Sequence, residues 1–219
     1  MTATNDNGRR RAATDVVHDL NNLLTVINGY SEMLLSRLDR HDWNRTMVEE
    51  VHRAGTQAAT LIRQLFGLAA SPGTATQPEA NMNATSRPAH APATVLLVED
   101  EDAVRRLLCG LLENDGYRVL DAASGPEALQ LCLNETEPID LLITDVVMPI
   151  IGGQELAEML VQRFANLHVL FVSGYTDEVI SRRGVLKDRV TFVQKPFNTG
   201  ALLRLVREVL DAARGPLAG

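Results

Sequence analysis

The second half of the chain alternates short apolar runs with longer amphipathic segments, and this alternation limits the possible folds more than any other feature. The apolar runs predict strands at residues 95–98, 118–122, 141–144, 169–172 and 191–193. The segments between and after them predict helices near residues 103–114, 126–133, 154–164, 176–183 and 199–213. Five strand–helix units in succession predict an α/β fold, in which a five-stranded parallel sheet carries helices on both faces.

Polar and charged residues follow four of the predicted strands. Glu99 and Asp100 follow the first strand, Asp145 the third, Ser173 the fourth and Lys195 the fifth. Because the carboxyl ends of parallel strands meet at one edge of a sheet, we expect these side chains to lie together. Three neighbouring carboxylates repel one another unless a cation joins them, and oxygen ligands suit Mg²⁺. Each residue alone has an ordinary explanation as a cap, a turn residue or a surface charge, but their joint placement indicates a site.

Four motifs in this half, VLLVEDE, TDVVMPIIGG, FVSGY and VQKPF, resemble those of the receiver domain of two-component response regulators, and the resemblance spans residues 94–214. It implies a flavodoxin-like (βα)5 fold in which Asp145 attacks phosphorus and becomes an acyl phosphate. It also implies that Asp100 and Asp145 ligate Mg²⁺ together with the backbone carbonyl of Val147, and that Glu99 lies near the ion.

The same resemblance implies further roles. Ser173 and Lys195 would bind and neutralise the phosphoryl oxygens, and the Lys195–Pro196 peptide bond is expected to be cis. Phe192 stands where the family has an aromatic that swings inward on phosphorylation, with a plain core phenylalanine as the alternative. Glu99 departs from the family, which has Asp at this position, and its longer side chain is expected to alter metal affinity without abolishing binding. The switch should be felt on the face formed by residues 176–213.

The first half carries two apolar series with the three- and four-residue spacing of helices that pack side by side. We predict these series to be the seam between two helices: Val16, Leu20, Leu23, Ile27, Tyr30, Leu34 and Leu38 in the first, and Met47, Val51, Ala54, Ala58, Leu61, Leu65 and Leu68 in the second. The polar break at residues 39–42 predicts an antiparallel hairpin, and Asp42 is a suitable N-cap for the second helix.

A second apolar row on the first helix, formed by Val17, Leu24 and Leu35, has no partner within a two-helix hairpin. Two helices alone also bury too little surface to be stable. We therefore predict a homodimer through residues 15–70, in which two all-α hairpins form a four-helix bundle.

His18 stands in the sequence VVHDLNNLLTVINGYSEMLL, with Asn22 on the same helical face. This stretch resembles the H-box of the dimerisation and histidine-phosphotransfer domain of sensor histidine kinases, over about residues 13–70. The resemblance implies that His18 accepts a phosphoryl group, that Asp19 accepts a hydrogen bond from its ring, and that Asn22 orients a water for the removal of phosphoryl groups from a receiver. The other histidines, His41, His52, His90 and His168, lack such neighbours, and we interpret them as structural or solvated.

Residues 71–93 are rich in Pro, Ala, Thr and Asn and predict a linker, where a complete sensor kinase would have an ATP-binding domain. A flexible linker of this length lets the second domain reach His18. The expected organisation is thus a flexible N-terminus at 1–14, the hairpin at 15–70, the linker, the receiver at 94–214 and a tail at 215–219. We expect no autonomous autokinase activity.

Charge and hydropathy exclude several classes of protein. The net charge of −7 lies entirely in residues 94–219, and an acidic domain is a poor binder of nucleic acid. No apolar run approaches the roughly 20 residues that span a bilayer, and the N-terminus lacks a secretory signal. We therefore expect a cytoplasmic protein that contacts neither nucleic acid nor membrane, with Cys109 and Cys132 as buried reduced thiols.

These patterns lead to one main functional hypothesis and two alternatives. The main hypothesis is a phosphorelay protein that passes a phosphoryl group between His18 and Asp145, supplied by a histidine kinase or an ATP-binding domain in trans. In the first alternative, only Asp145 is phosphorylated and the hairpin is a dimerisation scaffold. In the second, Asn22 makes the protein a phosphatase of phosphorylated receivers. Other receivers or phosphotransfer proteins are further possible partners.

Overall fold

The structure is a computed structural model that describes residues 3–40, 42–65, 93–174 and 189–214. The predicted linker, apart from Ala93, the predicted helix at 176–183, the tail, His41 and His90 lie outside the described residues. Within the described parts no helix combines the length and the apolar character that crossing a membrane requires.

The first half forms a helical hairpin of α1 (Ala3–Arg37) and α2 (Trp43–Leu65). Oδ1 of Asp42 accepts a hydrogen bond from the backbone N–H of Asn44 at 2.8 Å, so Asp42 is the N-cap of α2 as predicted. Helix α1 begins well before the predicted hairpin. The helical backbone includes residues 3–14, where the sequence predicted a flexible N-terminus.

The seam between α1 and α2 differs from the predicted one. Val17 and Leu24 of α1 pack with Ala59 and Ile62 of α2 in a small buried cluster. Most large members of the two predicted series are instead 41–78% exposed, namely Val16, Leu23, Ile27, Tyr30 and Leu34 on α1 and Met47, Val51, Leu61 and Leu65 on α2. The prediction of the seam was therefore wrong for most of its large residues, although Leu20 and Ala58 of the predicted series do pack against this cluster. The row at Val17 and Leu24 holds the hairpin together.

Small residues on α2 explain this choice of face. A Cβ atom at Gly55 would lie 2.2 Å from Oδ1 of Asn28, so the two helices approach too closely there for any larger residue. Ala59, one turn further along α2, is 2% exposed. The helices pack along the face on which α2 is smallest, and a count of apolar residues does not reveal that face.

The second half is a five-stranded parallel sheet, as the alternation predicted. Its strands are β1 (Thr94–Val98), β2 (Arg118–Ala122), β3 (Leu141–Asp145), β4 (His168–Ser173) and β5 (Val190–Gln194). Their order in the sheet is β2-β1-β3-β4-β5. Helices α3 (Asp102–Asn114) and α6 (Thr199–Arg214) cover one face, and α4 (Gly125–Asn134) and α5 (Gly153–Arg163) cover the other. The three central strands β1, β3 and β4 are almost entirely buried, as parallel strands between two helical layers must be.

The hairpin lies against the second half through α1. Val26 packs on the core cluster that α3 and α6 form with the sheet. A Cβ atom at Gly29 would lie 2.4 Å from a methyl carbon of Leu107 on α3, so the two helices are in close contact there. This packing brings the predicted His18 face of α1 to the edge of the sheet where the strands end.

Candidate functional site

The centre of the site is a buried lysine between two carboxylates. Nζ of Lys195, just after β5, lies 3.0 and 2.8 Å from the two carboxylate oxygens of Glu99 and 2.7 Å from Oδ2 of Asp145. These three side chains are at most 1% exposed. Asp145 is the last residue of β3, and Glu99 and Lys195 directly follow β1 and β5. The parallel sheet therefore brings together residues far apart in sequence, as predicted.

The charges in this site are unbalanced, and the pKa values show it. Burial raises the pKa of Glu99 to about 7, with attraction by Lys195 opposing the rise and repulsion by Asp145 adding to it. Burial and then repulsion by Asp145 also raise the pKa of Asp100. Burial acts to lower the pKa of Lys195, but the attraction of Glu99 and Asp145 outweighs it and raises that pKa. One lysine therefore faces more negative charge than it neutralises.

Further predicted residues lie around Asp145. Its Oδ1 accepts a hydrogen bond from the backbone N–H of Val147 at 3.0 Å, so both oxygens of the carboxylate are held. Ser173 is buried at the end of the neighbouring strand β4. Phe192 on β5 is half-buried and stacks on Phe171, with ring centroids 5.4 Å apart. The Lys195–Pro196 peptide bond is cis, as expected.

The acidic residues of the site are of the type that binds a divalent cation, but their side chains are not arranged around one in this structure. Asp100, Asp145 and the carbonyl of Val147 offer hard oxygen donors, and the surplus negative charge matches a doubly charged ion. Glu99, however, directs both carboxylate oxygens to Lys195. Among the residues that the structure describes, no three His, Cys, Asp or Glu side chains are grouped to hold a metal. Asp100, Asp145 and Val147 thus offer oxygen donors that suit a divalent cation, while both carboxylate oxygens of Glu99 bind Lys195.

The H-box residues lie on the face of α1 that meets this edge of the sheet. Nδ2 of Asn22 lies 3.0 Å from Nε2 of His18, and with the amide in this orientation the imidazole nitrogen accepts. Asn22 is 5% exposed, and its Oδ1 is buried without a hydrogen-bond partner among the described atoms. Asp19 is exposed beside this pair.

Two observations join the H-box to the carboxylate site. The charge of His18 is one of the influences on the pKa of Asp100, which it acts to lower. Nδ2 of Asn21 donates a hydrogen bond of 3.4 Å to the carbonyl oxygen of Gly174, the residue after Ser173. The structure therefore brings the predicted sites of the two halves to one place.

Sequence reasoning missed the residues that form this contact, although a signal was present. His18, Asn22, Thr25, Gly29 and Glu32 follow the same four- and three-residue spacing as the apolar rows, and all five are buried or half-buried. This polar row faces the second half of the molecule. Periodicity of apolar residues does not reveal a polar row, and only His18 and Asn22 of this row stand in the H-box motif.

Comparison with known proteins agrees with this geometry. Residues 95–207, more than half of the chain, match the sequence model of the response regulator receiver domain. The chain belongs to the response regulator receiver family. Residues 8–71 match the His Kinase A (phospho-acceptor) domain, so the receiver follows a phospho-acceptor hairpin.

Individual relatives resemble the receiver. The sensor kinase CckA of Brucella abortus is 40% identical over 119 residues, which are 54% of this chain but only 13% of that kinase. The response regulator receiver protein CpdR of the same organism is 31% identical over 119 residues and is covered over 98% of its length. The crystallised chemotaxis protein CheY4 of Vibrio cholerae is 29% identical with a TM-score of 0.50, over 54% of this chain and 99% of that one. These matches place the chain among two-component signalling proteins.

Proposed function

We propose that this protein is a phosphorelay component in which His18 of the hairpin and Asp145 of the receiver exchange a phosphoryl group. The observation that carries the proposal is the contact of the H-box face of α1 with the strand-end edge of the receiver, through Asn21 and Gly174 and through the influence of His18 on Asp100. A hairpin that served only as a dimerisation scaffold would not need to present its histidine to this edge.

Transfer to the receiver breaks the P–N bond of phosphorylated His18 and leaves its electron pair on the imidazole nitrogen. A carboxylate oxygen of Asp145 forms the new P–O bond. Lys195 and Ser173 bind the phosphoryl oxygens, and the lysine exchanges part of its present contact with Glu99 for this role. The reverse transfer uses the same groups, and the direction of flow depends on which partner supplies or removes phosphate.

Mg²⁺ fits the same site. Asp100, Asp145 and the backbone carbonyl of Val147 would hold it, with Glu99 nearby. The ion supplies positive charge that neutralises the phosphoryl oxygens during transfer. The donors suit this role because the three carboxylates face only one lysine.

The hairpin is proposed to dimerise through the apolar side chains that it leaves exposed. Val16, Leu23, Ile27 and Tyr30 form one continuous row on α1, and each is at least 41% exposed. A second copy presenting the same row would cover both surfaces in a four-helix bundle. The homodimer through residues 15–70, predicted from the sequence, thus retains its support, although its interface differs from the row first assigned to it.

A kinase or an ATP-binding domain acting in trans is proposed as the source of phosphate, in the cytoplasm. The test is to incubate the full chain with labelled ATP, with and without an added histidine-kinase ATP-binding domain. Label should require the added domain, should remain on His18 in Asp145→Asn as acid-labile and base-stable phosphate, and should vanish in His18→Ala. If Asp145 is still fully labelled in the His18→Ala variant, the hairpin is a scaffold and the relay is excluded.

A phosphatase activity is the second candidate, and one observation favours it. Oδ1 of Asn22 is buried near the site and free of hydrogen bonds within the described residues, so it can accept one from an attacking water. Asn22→Ala should then lengthen the lifetime of the acyl phosphate on Asp145. An unchanged lifetime would exclude this activity.

A further inference from the structure

The carboxylate of Glu32, on α1, accepts three hydrogen bonds from the start of α6 in the receiver. Nδ2 of Asn198 donates to Oε1 at 2.8 Å, and the backbone N–H and Oγ1 of Thr199 donate to Oε2 at 2.7 and 2.6 Å. The partners are separated by 166 and 167 residues in the sequence. Glu32 is therefore an anion that the hairpin supplies to a helix of the other domain.

Helix α6 is suited to receive such an anion. The first backbone N–H groups of a helix have no partner within it and carry the positive end of its dipole. Asn198 satisfies one of them, since its Oδ1 accepts from the N–H of Ala201 at 2.9 Å. The first turn of α6 contains no acidic residue of its own. Glu32 completes the cap by binding the N–H of Thr199.

The hairpin also prepares Glu32 for this contact. Its side chain is only 14% exposed, and Nε2 of His52 on α2 lies 3.9 Å from Oε1. Nδ1 of the same ring is 3.0 Å from Oγ of Ser31. Both helices of the hairpin thus help to hold the carboxylate in place.

Glu32 lies far from His18 along α1, so its contact with α6 affects how the receiver is oriented at the transfer site. Fourteen residues separate it from His18 on the same face, which is about 21 Å along a helix. Gly29 against Leu107 lies between them. Contacts at both ends of this face fix the angle at which the receiver lies on the hairpin, and one contact alone would leave that angle free.

From these contacts we propose that Glu32 is a positioning residue, which holds the receiver on the hairpin by capping α6 and so brings Asp145 to His18. It also selects the receiver: a last helix that begins with Asn-Thr-Gly and no acid is accepted, and one with an acid in its first turn is repelled. The effect on transfer rests on the proposed relay, whereas the cap itself does not.

The experiment compares Glu32→Gln with Glu50→Gln in the full chain. Glu50 is an exposed glutamate of α2 that pairs with Arg53 and contacts no receiver residue among the described interactions. His18 is phosphorylated by an added kinase ATP-binding domain, and the rate of transfer to Asp145 is measured. Because hydrogen bonds to a charged group are being weakened, Glu32→Gln should slow transfer roughly tenfold or more. Glu50→Gln should transfer at the wild-type rate.

Direct phosphorylation of Asp145 by acetyl phosphate separates positioning from damage to the receiver. It does not involve the hairpin, so its rate should be the same in Glu32→Gln and wild type. If both rates fall by the same factor, Glu32 merely stabilises the receiver and the proposal is overturned. Equal transfer rates in Glu32→Gln and Glu50→Gln would overturn it as well.

A charge exchange tests the selection of the receiver. Gly200→Glu places an acid in the exposed first turn of α6, where it favours the helix but repels Glu32. It should slow transfer strongly in the wild-type chain but much less in the Glu32→Gln background, where the negative charge that it repels is absent. Slowing by the same factor in both backgrounds would contradict an electrostatic contact.

Hydrogen exchange at residues 199–201 distinguishes failure of the cap from failure of the relay. The N–H of Thr199 should exchange faster in Glu32→Gln than in wild type. Faster exchange with no transfer even in the wild-type chain would leave the docking contact standing and refute the relay. Unchanged exchange in a chain that does transfer would refute the cap alone.

Discussion

The receiver and the hairpin bury opposite kinds of side chain. The receiver packs apolar residues on both faces of its sheet and buries charge at one place, where Lys195 binds Glu99 and Asp145. The hairpin has only four apolar residues in its buried cluster and leaves a long apolar row exposed. Among the α1 residues whose burial the structure describes, the other buried ones apart from Gly29 are polar: Asn21, Asn22, Thr25, Asn28 and Ser31.

The receiver has a large apolar core of its own, whereas the hairpin has a small one and makes many of its contacts with other surfaces. Exposed apolar side chains on the hairpin mark the face that a second copy would cover. Buried polar side chains mark the faces that meet the receiver and α2, where contacts must be specific as well as tight. Burial on α1 therefore follows its contacts with α2 and the receiver, whereas burial in the receiver follows the packing of its own sheet and helices.

The largest expected effect lies in the receiver. Lys195→Met leaves two buried carboxylates without their cation, and should lower the free energy of unfolding by about 3 kcal/mol while abolishing labelling by acetyl phosphate. Arg106→Gln is the control, because Arg106 is 67% exposed and 3.9 Å from its partner Asp102. Urea denaturation measures both. Equal stability of the two variants would show that the lysine does not hold the buried charges together.

The next effect tests the exposed row of the hairpin. Ile27→Glu puts a charge in the middle of the proposed dimer face and should reduce the molar mass in solution from two chains to one. Gln57→Glu adds the same charge at an exposed polar position of α2 and should leave the dimer intact. Light scattering at micromolar concentration gives the answer. A wild-type protein that is already monomeric would refute the dimer.

A neighbouring pair of leucines then tests which row joins α1 to α2. In the monomeric Ile27→Glu background, Leu24→Ala should cost about 2–3 kcal/mol of hairpin stability, because Leu24 is buried. Leu23→Ala should change it by less than about 0.5 kcal/mol, since Leu23 is 59% exposed. Hydrogen exchange at the backbone amides of α2, which reports the free energy of opening of that helix, measures both losses. Equal losses would restore the seam predicted from the sequence.

The smallest effect concerns local strain in the receiver. Ile150, in the loop after Asp145, has a φ of 72° and is 85% exposed. A β-branched residue is strained in this region and glycine is not, so Ile150→Gly should stabilise the receiver by about 0.5–1 kcal/mol. Ile151→Gly is the control, because Ile151 packs on the core and should destabilise. Thermal unfolding measures both, and a destabilised Ile150→Gly would indicate that the side chain has a packing role.

The sequence was sufficient to predict the receiver because its signals agree with one another. Each predicted strand is an apolar run with polar ends, and the observed strands begin and end within one residue of the prediction. Glu99, Asp145 and Lys195 came together because parallel strands end at one edge. The details that the sequence did not predict are local ones. They include the hydrogen bonds of Glu99 to Lys195 and the positive φ of Ile150.

The hairpin was less predictable because α1 carries three rows with almost the same spacing. They contain Val16 and Leu23, Val17 and Leu24, and His18 and Asn22, each row one residue and therefore about 100° from the last. Periodicity shows that such rows exist, but it does not say which partner each one meets. That assignment depends on the small residues of α2 at Gly55 and on the shape of the receiver at Leu107.

The three contact rows on α1 also constrain how the sequence of this protein can evolve. With α2 on one side, the receiver on another and a second copy proposed for the third, α1 retains little surface between residues 16 and 32 on which mutations accumulate freely. A replacement at Gly29 or Glu32 would have to be answered by a replacement on α3 or α6 of the same gene. We therefore expect the two domains to diverge together, with paired changes across this boundary visible when related chains are aligned.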